Sequence, residues 1–272
     1  MAPVKLFYLR RPDGKINFGD DLSPTLLEYV IAKEVVWAPI ASCDIVGIGS
    51  ILGKACKRIQ IAKYTTRKIL QRKEKKTIIW GSGFIKERRP VTSTHLDVRL
   101  VRGPKTSNLL KRNNLPFGDP GLLAADIVPK PNEKKYSLGI IPHFVDAQSS
   151  MVSHLQNSVR HSTIISVEEE PKTVLRKISE CDFIMSSSLH GLIVADSYGI
   201  PNLRLRLSDK IIGGDFKFLD YARSIDRPNV MPINLQNLTN DIQLDVLFEN
   251  DQSYQGNIHE IKCGIMSSID DL

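Results

Sequence analysis

Cysteine is scarce in this chain. Four residues in 272 lie at positions 43, 56, 181 and 263, and no two of them form a close pair. That spacing argues against a zinc site or a CxxC redox motif and leaves the four as buried or incidental thiols. Long apolar runs are lacking too. The longest, Cys43 to Leu52, is too short to cross a bilayer. The N-terminus, Met1-Ala2-Pro3-Val4-Lys5-Leu6, has no secretory apolar region and runs directly into a strand-like segment. Both absences lead us to expect a cytoplasmic protein. Aromatic residues make up only 7%, and no helix-turn-helix, zinc-finger or stacking-aromatic motif accompanies them, so nucleic acid is not an expected partner. No GxGxxG or P-loop spacing occurs, no GxSxG nucleophile elbow, and no repeat of solenoid length.

What remains is an ordinary globular composition, 42% hydrophobic and 25% charged, with a net charge of +7 that favours anionic partners. The length suits one large domain or two small ones. Short apolar runs alternate with helical stretches, which implies a parallel sheet with crossover helices. In the first part, strands are expected at Val4–Leu9, Asp44–Ile48, Thr77–Trp80 and Asp97–Val101. Helices are expected from Ser23 (as N-cap, with Pro24 following) to about Lys33, and from Pro104 to about Arg112, stopping at Asn113-Asn114. The segment from Val128 to Lys135 has two prolines and no apolar run, and reads as a linker. Beyond it the alternation restarts. Strands are expected at Ser137–Ile141, Thr163–Ser166, Phe183–Ser186 and Asn202–Leu205, with helices at about Ala147–Val159, Pro171–Glu180, Leu189–Tyr198 and Phe216–Ser224. The expected organisation is two Rossmann-like domains, 1–128 and 136–230, facing a central cleft, with a tail over 231–272 packing back. Lys54 to Lys76 carries ten Lys or Arg and one acid, Glu74. Ile59, Ala62, Thr66 and Ile69 fall at helical spacing there, so the segment reads either as a solvated basic helix or as one that binds an anionic membrane.

Five segments at strand ends or helix starts carry chemistry. In Asn17-Phe18-Gly19-Asp20-Asp21, Gly19 allows close backbone approach, while Asn17 and Asp20 can hydrogen-bond a sugar or phosphate. Taken alone, the segment reads first as a simple turn with a capped helix. Trp80-Gly81-Ser82-Gly83, with Gly47-Ile48-Gly49-Ser50, can offer backbone N–H groups to phosphate or can be tight strand–helix turns. Arg102 sits between a strand end and a helix start, where a guanidinium adds to an anion-favouring position. Asp119, in Gly118-Asp119-Pro120-Gly121-Leu122-Leu123, is a sugar ligand or an N-cap. In Ser186-Ser187-Ser188-Leu189-His190-Gly191, Ser188 can cap the next helix, so His190 falls in its first turn, facing the crevice, with space left by Gly191.

These segments in order, joined by Ile141-Pro142-His143-Phe144 and by Asp215-Phe216-Lys217-Phe218-Leu219-Asp220-Tyr221, resemble the polysaccharide pyruvyl transferase family over about residues 15 to 222. The likeness is to the short members that place a pyruvate ketal on exopolysaccharide or capsule repeat units. It implies a GT-B-like α/β fold, phosphoenolpyruvate as donor, no metal or cofactor, and a saccharide acceptor, free or lipid-linked. Residue by residue, it implies His190 as the functional histidine, with Arg102 as a donor ligand. Lys217 fits the further basic residue, with Lys210 as the alternative. Asn17, Gly19, Asp20, Gly81, Ser82, Asp119, His143, Ser187, Ser188 and Gly191 are then substrate-binding candidates. His143 is left open between acceptor, donor and a shaping role.

On this reading His190 is the acid that protonates the donor's methylene carbon. A helix N-terminus disfavours imidazolium, and a bound anionic donor reverses that. Two other classes fit the same sequence features. One is a GT-B glycosyltransferase with a nucleotide-sugar donor, for which no ribose site is evident. The other is a non-catalytic carbohydrate-binding protein, which would not need Arg102 and His190 at strand ends.

Overall fold

The structure is a computed structural model. It describes residues 2–57, 62, 76–88, 90, 95–228, 230–234, 244–248 and 253–272. Most of the basic segment Lys54–Lys76, and with it the expected amphipathic helix, lies outside the described residues.

Two parallel sheets form the frame. The first contains β1 (Val4–Phe7), β2 (Val35–Trp37), β3 (Ile45–Val46), β4 (Thr77–Ser82) and β5 (Leu96–Val101), in the order β2-β1-β3-β4-β5. The second contains β6 (Tyr136–Ile141), β7 (Ser162–Ile164), β8 (Cys181–Ser186), β9 (Asn202–Arg206) and β10 (Ile233–Asn234), in the order β10-β9-β8-β6-β7. Counted from its own first strand, each sheet has the same 2-1-3-4-5 order. In that doubly wound order the direction of winding reverses between the first and third strands, and ligands bind beyond the strand C-termini at that crevice.

The central strands are apolar on both faces because helices cover both sides. Ile78, Ile79 and Trp80 in β4 are all buried, as are Ile184 and Met185 in β8. The helix Leu189–Ser197 is buried from Leu189 through Asp196, as expected of a helix apolar on nearly every face. The largest apolar cluster spans the two halves. It joins Leu6, Phe18 and Leu26 to Leu122 and Leu123, and these to Ile141, Ile165, Leu192 and Tyr221. Phe18 N donates to Val167 O at 2.8 Å, and Arg11 Nη1 pairs with Glu168 Oε1 at 2.7 Å, so the halves are also bonded at the rim. The C-terminal helix Ile258–Ser267 lies against this body, with Trp80 Nε1 donating to Ile265 O at 3.3 Å.

Several element ends differ from expectation. Ser23 does not cap its helix. A short turn of helix, Phe18–Asp21, runs into Ser23–Ile31 through Leu22, whose helical φ and ψ place Ser23 inside the helix. The expected Ala147–Val159 helix starts at Ser150, because Ser149 Oγ accepts the Met151 N–H at 3.4 Å and fixes the start. The Pro104 helix ends at Leu110, where Lys111 takes a left-handed φ of 53°, rather than running on to Arg112. β2 and β10 were not expected. Each is an edge strand too short to show an alternating pattern.

Candidate active site

The two switch points gather most of the expected residues. Asn17, Gly19 and Asp20 follow β1, and Gly49 and Ser50 follow β3. His143 follows β6, and Ser187, Ser188 and His190 follow β8. Arg102 leaves β5, and Lys217 enters the helix Phe216–Ser224 beyond β9.

His190 is 8% exposed. One edge of its ring lies against Gly19, where an added Cβ would overlap Nδ1. Phe18 meets the ring edge-on, with centroids 6.4 Å apart. Nε2 points the other way and lies 4.0 Å from Asp119 Oδ2. Both atoms are buried, and neither has a hydrogen-bond partner among the described residues. Burial pushes the His190 pKa down to about 3, and Lys217 and then Arg102 push the same way. The imidazole is therefore neutral in the free protein at ordinary pH, and the 4.0 Å separation is not an ion pair there.

Asp119 divides its two oxygens. Oδ1 accepts from Gly121 N at 2.9 Å and caps the 3-10 turn Pro120–Leu123, while Oδ2 faces His190. Burial raises its pKa to about 6, against the Gly121 hydrogen bond and the Arg102 charge. Asp20 is raised further, to about 7, again chiefly by burial, although Asn17 Nδ2 donates to its Oδ2 at 2.6 Å. Gly49, at φ +103°, makes room for Asp20, since a Cβ there would crowd Oδ1. Two carboxyl groups that titrate close to neutrality thus stand beside a neutral histidine.

Lys217 is the cation of this group. It is 9% exposed and has no hydrogen bond or ion pair among the described residues. Its Nζ lies 5.3 Å from the Phe218 ring centroid. Burial lowers its pKa to about 8, with Arg102 contributing and Asp20 opposing. It also helps to lower His143, which burial brings to about 4. An ammonium held without a counter-ion in a largely dry place is suited to receive an anion.

Arg102 is wholly buried. Nε donates to Asp220 Oδ2 at 3.1 Å, Nη1 to Ser50 Oγ at 2.7 Å and Nη2 to Phe84 O at 2.7 Å. A Cβ on Gly83 would overlap its guanidinium. Arg102 is therefore a fixed positive charge behind the site, and to touch a ligand directly it must exchange a partner.

The remaining candidates support these. Ser187 Oγ accepts from His143 N at 2.8 Å and ties the two second-half loops together. Ser188 occupies the N-cap position of the His190 helix, without a side-chain cap bond. Gly191 packs on Ser186 Oγ. Gly81, at φ +75°, lies against the Pro120 ring, so β4 seats the turn that carries Asp119. Ser82 is buried and donates to Gly49 O at 3.2 Å. Lys210 is exposed on the loop after β9. Sequence reasoning missed Asp220, Ser50 and Thr106 as the setting of Arg102. The signal available was Asp220 itself, inside the segment Asp215–Tyr221. Among the described residues, no group of three or more His, Cys, Asp or Glu is placed to hold a metal ion. No helix there is long and apolar enough to cross a membrane.

Two Rossmann-like halves of equal winding thus bring a neutral histidine, two perturbed carboxyl groups and an unpaired lysine to one place. A family model described as polysaccharide pyruvyl transferase matches residues 4–209. The chain belongs to the polysaccharide pyruvyl transferase family, a family of enzymes. Among curated relatives, the succinoglycan biosynthesis protein ExoV of Rhizobium meliloti (strain 1021) is 28% identical over 240 residues, covering 85% of this chain and 69% of that protein. The uncharacterized protein L143 of Acanthamoeba polyphaga mimivirus is 34% identical over 159 residues, covering 54% of each. The solved structure of the spinosyn rhamnosyltransferase SpnG aligns over 98% of this chain and 96% of its own, with 10% identity and a TM-score of 0.41.

Proposed function

We propose that this protein moves the enolpyruvyl group of phosphoenolpyruvate onto two hydroxyls of one sugar in a polysaccharide repeat unit, forming a pyruvate ketal and releasing phosphate. The observation that carries this reading is Lys217, an ammonium without a counter-ion, in the same buried group as His190 within a chain of this family. Lys217 receives the anionic donor, and Arg102 adds fixed charge from behind. Donor charge beside His190 offsets the burial that keeps the ring neutral and draws a proton onto it.

The imidazolium then gives its proton to the methylene carbon, which becomes the ketal methyl group. C2 becomes electron-poor, one sugar hydroxyl adds to it, the C2–O bond to phosphate breaks, and the second hydroxyl closes the ring. Of the two hydroxyl protons, one restores the histidine and the other leaves on phosphate. Asp20, with a pKa of about 7 and a hydrogen bond from Asn17, relays a hydroxyl proton.

The test is incubation with phosphoenolpyruvate and a lipid-linked or free repeat-unit oligosaccharide. Phosphate release and acid-labile ketal pyruvate should appear in equal amounts, and phosphoenolpyruvate should protect against thermal unfolding. Protection by UDP- or GDP-sugars alone, with no phosphate released, would replace this reading by glycosyl transfer.

A further inference from the structure

Two buried atoms face each other across 4.0 Å, His190 Nε2 and Asp119 Oδ2, and neither has a hydrogen-bond partner among the described residues. Leaving both unsatisfied is costly, and native structures keep such atoms for a reason. The orientation is held from both sides. Asp119 is pinned through Oδ1 to Gly121 N, and the turn that carries it is wedged by the Pro120 ring against Gly81. On the other side, Gly19 admits the Nδ1 edge of the ring, and Phe18 meets it edge-on.

We infer that Asp119 is a positioning residue for His190. It receives the Nε2–H, which reserves Nδ1, at the edge opened by Gly19, for the proton delivered to the substrate. This rests on the pyruvyl-transfer reading only for the identity of that substrate. The charged groups around the ring explain the need. Lys217 and Arg102 both disfavour a positive imidazole, and Asp220 is engaged with Arg102. Asp20 accepts from Asn17 Nδ2 at 2.6 Å and feels the charges of Lys217 and Asp119. Asp119 is the acid that faces a ring nitrogen directly. When the donor arrives, a small closure turns the 4.0 Å separation into a charge-assisted hydrogen bond, and the imidazolium is held in one orientation. After the proton leaves Nδ1, the neutral ring keeps its Nε2–H on Asp119, and a hydroxyl proton from the acceptor restores Nδ1.

Asp119→Asn is the informative variant, because an amide oxygen can keep the Gly121 cap while the charge is lost. Turnover should fall at least about tenfold with the dissociation constant for phosphoenolpyruvate nearly unchanged. In the donor complex, the imidazole titration of His190, followed by NMR of the labelled ring, should move about one pH unit lower or more. Unchanged turnover and an unchanged titration in a folded variant would overturn the inference. A second measurement needs no donor. Nitrogen chemical shifts of free wild-type protein should show the neutral ring protonated on Nε2, and Asp119→Ala should lose that preference. A ring protonated on Nδ1 in the wild type would also overturn it. Failure of the wild type to act on phosphoenolpyruvate, with the Nε2 tautomer present, would count against the pyruvyl-transfer reading and support the Asp119–His190 pairing.

Discussion

Arg102 and Asp220 form an ion pair with no exposed surface on either side chain, Nη2 lying 3.0 Å from Oδ2. Arg102 belongs to the first half and Asp220 to the second, so the pair fastens one half to the other. Asp220 also accepts from Thr106 N at 2.9 Å and from Thr106 Oγ1 at 2.6 Å, which satisfies both carboxylate oxygens. A Cβ on Gly103 would overlap the Asp220 backbone, so the approach depends on glycine. Lys217 lies three residues before Asp220 in the same helix, hence on nearly the same face. The clamp that joins the halves therefore holds the same helix that carries the unpaired lysine.

Removing one partner of this pair should be expensive. Asp220→Ala leaves a buried guanidinium with a lost acceptor and strands the Thr106 donors. We expect a loss of roughly 3–5 kcal/mol in a urea unfolding curve, with activity lost in parallel. Asp220→Asn should lose less, because it can still accept from Thr106. Equal stability of wild type and Asp220→Ala would show that the pair carries no net stabilisation.

His190→Ala separates chemistry from binding. The side chain removed touches Gly19, Phe18 and Asp119, none of which depends on it for a backbone hydrogen bond. Ketal formation should fall below detection, while phosphoenolpyruvate still raises the melting temperature. A variant that turns over at the wild-type rate would remove His190 from the mechanism.

Gly19→Ala should act through the same ring from the other side. The added Cβ would overlap the imidazole at Nδ1, and His190 cannot retreat without approaching Asp119. Because core positions tolerate such crowding poorly, stability should drop by about 1–3 kcal/mol and turnover by at least about tenfold. Pairing it with Asp119→Ala tests the geometry. Space opened beyond Nε2 should return part of the lost stability in a double-mutant cycle, and strict additivity would mean that the two sites do not share the ring.

The alternating α/β layout, the parallel sheets and most of the central strands were legible because buried parallel strands are written as unbroken apolar runs, as at Thr77–Ser82 and Cys181–Ser186. Val35–Trp37 and Ile233–Asn234 were not, since two or three residues at a sheet edge carry no period. His190, Asp119 and Asp20 were legible as polar residues at strand ends and helix starts, and Lys217 through the family resemblance. Their mutual arrangement was not. Nothing local in Gly118-Asp119-Pro120 reveals that one carboxylate oxygen caps a turn while the other faces a ring 71 positions away. Asp220 reads as one more polar residue on a helix until the fold brings Arg102 against it. The shared 2-1-3-4-5 winding likewise becomes visible only once the edge strands are in place.

The buried acids and histidines should bend stability with pH in opposite directions. Asp20, raised from 3.8 to about 7, contributes stability that is fully present below its unfolded value and lost as pH rises toward 7. His190 and His143, depressed from 6.5 to about 3 and about 4, contribute stability that is present above 6.5 and lost as pH falls. In the wild type these slopes partly cancel. Asp20→Asn removes the first, so the variant should gain on the wild type as pH is raised from about 4.5 to about 8. Urea midpoints at both ends of that range measure it, and a pH-independent difference would mean that Asp20 titrates normally.

Lys217 and Lys210 give the sharpest contrast between function and stability. Lys217 is buried without a counter-ion and its pKa is lowered to about 8, whereas Lys210 is exposed on its loop. A buried, unpaired ammonium is a cost to the free protein, so Lys217→Met should leave stability unchanged or raise it by about 1 kcal/mol. The same change should abolish protection by phosphoenolpyruvate, since the donor loses the cation that has no other partner. Lys210→Met should alter neither by more than about 0.5 kcal/mol, as for other exposed positions. The opposite result, donor binding lost with Lys210 and kept without Lys217, would transfer the donor contact to the loop and leave the buried lysine without a purpose. The ordering expected here follows from burial: an unpaired charge in a buried site costs stability, and a ligand that supplies the missing partner offsets that cost.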